Sequence, residues 1–184
     1  MINDSLLEHI RKNRLIIYGG CDFNIEHMFS QLAIYENGKL YVFKEYANFL
    51  DTPQLIEAIR SDFPDNKIIM HPDASGIKRG SADAGVSDIS LLRKAGFSIR
   101  ARSRNPFVRD RIASVNNAFN HKKLFIDTER CPETTECLEQ QIYLPNGQPD
   151  KTSGLDHAMD SLGYLIHYVM PVRELKPKVK GVIH

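Results

Sequence analysis

Three aspartates stand at the ends of expected elements, and a fourth lies one helical turn further in. Asp22 ends the apolar run IIYGGCDFN (residues 16–24), Asp73 ends KIIMHPD (67–73), and Asp156 and Asp160 lie within GLDHAMDSLGYLIHY (154–168). Carboxylates brought together repel one another, and burying them unpaired is costly. A divalent cation held by oxygen ligands is the natural compensation. Two such ions about 4 Å apart can activate water and stabilise the leaving oxygen of a phosphodiester. Metal-dependent phosphodiester hydrolysis is therefore the chemistry to test, provided the stretches converge. Ordinary readings stand beside it. A strand-end aspartate is commonly a turn former, which covers Asp22 and Pro72-Asp73. Asp156, after Ser153 and Gly154, suits an N-cap or a first-turn charge. Asp160 is surrounded by Leu155, Met159, Leu162, Leu165, Ile166, Val169 and Met170, so it needs a partner or a metal. His71 precedes the Pro72-Asp73 corner, and it shares a side with Asp73 only if the proline keeps the strand alternation.

Positioning these residues takes a sheet. Residues 15–21 read as a strand, and 31–35 and 39–45 as a hairpin about Asn37-Gly38. Three leading antiparallel strands are the simplest arrangement. Residues 5–12 read as a lead-in helix. Thr52-Pro53 reads as a capped helix start, with Leu55, Ile56 and Ile59 as its apolar stripe. Residues 67–73 form a short strand, and Ser87 caps a helix that Gly96 ends. Residues 97–101 and 124–126 read as brief strands. Residues 106–120 read as a helix with Val108, Ile112, Val115 and Phe119 on one side, and 132–142 as another helix. A last helix, 155–170, is closed by Pro171. Three strands followed by alternating helices and strands predict an α/β fold, a mixed central sheet flanked by helices. Ligands gather at strand C-terminal ends in such folds. Asp22 and Asp73 converge there if their strands are neighbours, and Asp156 and Asp160 share one helix face.

The chain's 184 residues suit a single domain over 1–184, with its core at about 14–170 and a basic tail at 171–184. A hydrophobic fraction of 42% is enough for a core, while a formal net charge of +1 leaves any nucleic-acid signal to local patches. Cys21, Cys131 and Cys137 form no CxxC pair, which argues against a disulfide framework or a cysteine zinc site and suits a reducing compartment. No stretch approaches the roughly 20 apolar residues of a bilayer span, so no membrane partner is expected.

Local charge is uneven. Residues 93–111 carry Arg93, Lys94, Arg100, Arg102, Arg104, Arg109 and Arg111 against Asp110 alone, and Lys78 and Arg79 follow Asp73. Such a patch can hold duplex phosphates without reading bases, although a solvated face is the ordinary reading. Arg100, Arg102 and Arg104 alternate and so share one side of an extended segment. With Lys78 and Arg79 they are the DNA-contact candidates. Arg109 and Arg111 cannot both face one duplex. Residues 74–87, ASGIKRGSADAGVS, read as a mobile loop beside the acidic ends, a gate or phosphate clamp or simply surface.

Four stretches, in order, resemble the nuclease domain of tailed-phage terminase large subunits, members of the RNase H-like superfamily. IYGGCDFN is similar to the family's first strand and its metal-binding aspartate. IIMHPDASG, followed by VSDISLLRKAGFSI, resembles the second acidic strand end with its downstream helix and strand. NPFVRDRIASVNNAF resembles the helix behind the sheet, and GLDHAMDSLGYLIHY the closing acidic helix. The resemblance covers about residues 14–170. It implies an RNase H-like fold and a metal-dependent endonuclease that cleaves double-stranded concatemeric viral DNA during genome packaging, with Mg²⁺ or Mn²⁺, two ions, as cofactor. It also implies that Asp22, Asp73, Asp156 and Asp160 are the catalytic and metal-binding set. Implied partners are double-stranded DNA, an ATPase motor N-terminal to the nuclease, and the portal and small terminase subunit, in the host cytoplasm during phage assembly. No GxxxxGKS or GxxxxGKT phosphate loop occurs, so no motor activity is expected of these residues. Where the family often has a second adjacent aspartate, His157 stands. That leaves open whether Asp156 or Asp160 is the main third ligand, and whether His157 touches metal, DNA or neither. A junction resolvase or RNase H-type nuclease would share fold and metals but differ in substrate. A non-catalytic docking domain of the same fold would have no need to tolerate repelling carboxylates.

Overall fold

The computed structural model describes residues 4–24, 27–77, 86–101, 103–145, 148–150 and 154–172. A short helix α1 (Asp4–Lys12) leads into β1 (Ile17–Asp22), β2 (Met28–Glu36) and β3 (Lys39–Phe49), which pair antiparallel in sequence. Asn37 (φ 51°) and Gly38 (φ 75°) both take the left-handed conformation of a tight hairpin turn, as an Asn-Gly pair favours. The chain continues through α2 (Thr52–Asp62), β4 (Ile68–Pro72), a 3-10 turn (Ala74–Ile77), α3 (Asp88–Lys94) and β5 (Ser98–Ile99). It ends its described course with α4 (Val108–Asn120), β6 (Leu124–Ile126), α5 (Pro132–Gln140) and α6 (Asp156–Val169). The six strands lie in the order β5-β4-β1-β2-β3-β6, with β4 parallel to both β1 and β5 and β6 parallel to β3. This is the expected mixed sheet with antiparallel leading strands.

Side-chain alternation divides the core between the two faces. Ile17, Cys21, Ile68 and Met70 join Ile10, Leu55, Ile59, Phe63 and Leu92 from α1, α2 and α3 on one face. Ala33, Val42, Val115, Ala118, Leu162, Leu165 and Ile166 pack on the other, beneath α4, α5 and α6. In β1 this leaves Tyr18, Gly20 and Asp22 on the α6 face, and in β4 it leaves His71 there with Asp73 following. Helix α6 lies unusually close to β1. A Cβ at Gly20 would come 2.9 Å from the Ser161 carbonyl carbon, with the carbonyl oxygen closer still, so only glycine admits the helix at this distance.

Local details depart from the sequence reading in three places. Helix α2 is capped by Asp51, whose side chain accepts from Gln54 N at 3.0 Å; the buried Thr52 hydroxyl instead donates to Asp88 Oδ1 at 2.7 Å. Strand β5 has two residues rather than five. Helix α4 buries Arg111, Ser114, Val115 and Ala118, and Phe119 faces out, because α4 packs on a helix at close range and small side chains permit that approach. Helix α5 has no side-chain cap of its own. Glu45, from β3, supplies one: its carboxylate accepts from Glu133 N (2.8 Å), Thr134 N (3.0 Å) and the Thr134 hydroxyl (2.7 Å). Among the described residues no helix is long and apolar enough to cross a membrane.

Candidate active site

Strands β1 and β4 run parallel in register, with Cys21 opposite Pro72, and Asp73 N donates to Cys21 O at 2.9 Å. Asp22 and Asp73 therefore leave the sheet side by side at its C-terminal edge. Helix α6 crosses that edge. His157 Nδ1 lies 3.0 Å from Asp22 Oδ2, and its Nε2 lies 3.1 Å from Asn24 Nδ2. An amide nitrogen can only donate, so Nε2 accepts and Nδ1 carries the proton toward Asp22; one neutral tautomer satisfies both bonds. The His27 ring stacks on His157 with centroids 6.1 Å apart and planes nearly parallel. Asp22 itself is 8% exposed.

Asp73 forms a tight local turn and more. Its Oδ1 accepts from Ser75 N (2.8 Å) and from the Asn105 amide, and its Oδ2 from the Ser75 hydroxyl (2.8 Å). Asn105 in turn accepts from Ala74 N at 2.7 Å. The turn-forming role foreseen for Asp73 is thus real, and it fixes the carboxylate's orientation. Asp160 has the partner its surroundings demanded: Arg111 Nη1 stands 3.0 Å from its Oδ1, and the guanidinium lies 4.3 Å over the Tyr164 ring. Burial pushes the Tyr164 phenol well up, the carboxylates of Asp73, Asp160 and Asp22 add to that, and Arg111 opposes it. These three aspartates thus act on one hydroxyl. His157, Asp160 and Tyr164 follow the i, i+3, i+7 spacing of a single helix stripe. Asp156, 4% exposed, acts with Asp160 on the Cys137 thiol of α5, which burial chiefly pushes up to about 12.

Carboxylates with an imidazole beside them are donors that would suit a hard divalent cation such as Mg²⁺ or Mn²⁺. Among the described residues, no three acidic, histidine or cysteine side chains are already drawn together as an ion cage. Asp22, Asp73 and Asp160 each hold a protein partner instead, so an ion bound there would have to exchange for those bonds.

His71 is a core residue. It is 1% exposed, its ring stacks between Tyr18 (6.3 Å) and Tyr168 (5.6 Å), and its Nδ1 lies 3.2 Å from Gly19 O. Burial lowers its pKa to about 4, against a smaller upward pull from the Gly19 bond. Arg100 and Arg104 are exposed. The Arg100 amide donates to Met70 O at 2.9 Å, which carries the basic segment along β4, and Arg104 adjoins the Asn105 that holds Asp73. Arg109 is exposed beside Phe107, whereas Arg111 is buried and unavailable to a duplex. Lys78, Arg79 and Arg102, the rest of the expected loop through residue 85, and the tail from residue 173 lie outside the described residues. Sequence reasoning missed Asn105, Asn24, Tyr164 and the burial of Arg111. Only the last left a trace: Ser114 and Ala118, at helical spacing from Arg111, mark a close-packed seam.

The terminase RNaseH-like domain model matches residues 65–169. No curated protein matches this sequence. Among solved structures, the large terminase of a thermophilic bacteriophage is 19% identical with a TM-score of 0.65 over 86% of this chain, which spans only 43% of that protein. The nuclease domain of the bacteriophage SPP1 large terminase, with bound Mn, is 17% identical with a TM-score of 0.59, covering 92% of this chain and 93% of that one. The P22 large terminase nuclease domain is 16% identical with a TM-score of 0.63, covering 89% and 91%. The sheet order and flanking helices are those of the RNase H-like fold these proteins share. With its family model spanning more than half of its length, this chain belongs to the terminase RNaseH-like domain family.

Proposed function

We propose that this chain is a metal-dependent endonuclease that cuts double-stranded viral DNA during genome packaging, with Asp22, Asp73 and Asp160 as its acidic ligands and His157 beside them. The observation that supports this reading is that two parallel strand ends meet one helix: Cys21 pairs with Pro72 just before Asp22 and Asp73, and α6 lays His157 on Asp22, with Asp160 one turn further along. Asp156, buried one turn before Asp160 at the start of α6, is the alternative third carboxylate. The Mn in the SPP1 nuclease domain supports Mn²⁺ or Mg²⁺ as cofactor, two ions in the full reaction. When bound, such ions supply Lewis-acid stabilisation of charge at a phosphodiester.

The chain's own residues do the positioning. Ser75 and Asn105 hold the Asp73 carboxylate at one rotamer, and Arg111 holds Asp160. His157 holds its Nδ1 proton against Asp22 and so fixes the orientation of that carboxylate. Arg100 and Arg104, with Lys78, Arg79 and Arg102, hold the duplex by its phosphates. In the packaging assembly the partners would be the ATPase motor, the portal and the small terminase subunit, in the host cytoplasm. The test is plasmid cleavage in Mn²⁺ by the wild type, Asp22→Ala and Asp73→Ala. Cleavage by the wild type alone is expected; a wild type that never cuts, or variants that cut equally well, would refute the reading. Competition among duplex, RNA–DNA hybrid and four-way-junction substrates separates it from a resolvase or RNase H-type activity.

A further inference from the structure

We infer that Arg111 is the resident counter-cation of the carboxylate cluster, balancing its charge in the metal-free protein and opposing metal binding at Asp160. This rests on the reading of Asp22, Asp73 and Asp160 as metal ligands. Arg111 is 5% exposed on the buried stripe of α4, where it faces α6. A guanidinium so far from water persists only with partners. It has Asp160 Oδ1 at 3.0 Å and the Tyr164 ring at 4.3 Å, yet its Nε has no hydrogen-bond partner among the described residues. An arginine left partly unsatisfied in a helix seam stabilises a fold less than a packed apolar side chain of similar size. Packing alone is thus a poor account of it. The seam is nevertheless shaped for it: a Cβ at Gly163 would stand 3.0 Å from the Arg111 Cβ, so glycine opposite leaves its stem room. The charges acting on Tyr164 from Asp73, Asp160 and Asp22 are all negative, and Arg111 is the charge that opposes them. A guanidinium and a divalent cation that share one carboxylate repel each other. Removing the guanidinium should therefore tighten metal binding, whereas losing a packing residue should weaken it or leave it unchanged.

The experiment is a Mn²⁺ titration of the intact chain, read by the electron paramagnetic resonance signal of free Mn²⁺ and by the metal-induced shift in melting temperature. Arg111→Met is expected to bind Mn²⁺ about tenfold tighter or more, and to gain more thermal stability from it than the wild type does. Arg111→Lys keeps the charge and is expected to stay within about threefold of the wild type. Arg111→Met binding no more tightly than Arg111→Lys would overturn the inference. If Arg111→Met folds only with Mn²⁺ present, the metal has replaced the missing charge, as expected. If it remains unfolded in Mn²⁺, Arg111 is a structural residue and the inference falls. Asp22→Ala and Asp73→Ala report separately on the ligand reading: unchanged Mn²⁺ binding in both would remove that reading itself.

Discussion

Replacing Gly20 with alanine asks whether the contact between β1 and α6 sets the candidate site. The new Cβ would lie 2.9 Å from the Ser161 carbonyl carbon and 3.1 Å from Leu165 Cβ, with the Ser161 oxygen nearer than either. Ordinary van der Waals contact begins at 3.4 Å, so strand and helix must part by roughly 1 Å. Neither can yield locally. The obstacle on one side is helix backbone, and on the other Gly20 is paired with both Gln31 and His71 in the middle of the sheet. Overpacking costs about 1–3 kcal/mol in general, and the upper end applies where backbone meets backbone. Function should suffer more than stability. Asp22 rides on β1 while His157 and Asp160 ride on α6, and a misplacement of about 1 Å between positioned groups can cost about 100-fold in rate. Gly19→Ala is the control. Its Cβ would meet the Met70 thioether and Leu32 Cδ2, both ends of flexible side chains. It should cost less than about 1 kcal/mol and leave cleavage within about threefold. Urea unfolding and plasmid cleavage in saturating Mn²⁺ measure the two effects. Equal stability and equal activity for the two variants would show that the Gly20 contact does not hold the site.

Three further outcomes can be checked. Glu45→Ala removes the cap of α5 and should lower stability by about 1–2 kcal/mol in urea, with cleavage little changed because Glu45 touches none of the candidate site residues. His71 has a folded-state pKa of about 4, below its ordinary 6.5, so the unfolded chain takes up the proton first. Its contribution is therefore full above pH 6.5 and is lost as pH falls toward 4, about 3 kcal/mol in all; His71→Phe should flatten that loss, and unchanged slopes would count against it. Arg100→Ala and Arg104→Ala should each weaken duplex binding regardless of sequence, and each should lower the salt dependence by about one phosphate contact in a titration against NaCl.

Much of the fold was legible because its signals are local. Asn37-Gly38 set the hairpin, Ser87 and Gly96 bounded α3, and the apolar runs ending at Asp22 and Asp73 marked β1 and β4. Where neighbours compete, the reading slipped: Thr52 has the chemistry of a cap, yet Asp51 beside it caps α2 and frees the Thr52 hydroxyl for Asp88. The stripe of α4 was misjudged because the partner is another helix at close range, which selects Ser114 and Ala118 over Phe119. The aspartates were visible as acidic strand ends and a helix pair. What was not visible is the rotation of α6, which sets where Asp156 and Asp160 stand relative to the sheet and is fixed by the meeting of Ser161 with Gly20. The bonds of His157 with Asp22, Asn105 with Asp73 and Glu45 with α5 each join residues far apart in the chain. No spacing announces such pairs.

Helix α6, lying across the middle of the sheet, also bears on the order in which this protein can be made and folded. A growing chain that has emerged through β6 already has Asp22 and Asp73 on adjacent strands, but it has neither His157 nor Asp160. Until α6 docks on Gly20, much of one apolar sheet face is open to water, and the long sequence separation between β1 and α6 makes that docking a late step. The meeting of the strand-end carboxylates with His157 and Asp160 is thus tied to completion of the second layer, and a partly synthesised chain would carry Asp22 and Asp73 without the helix that covers them.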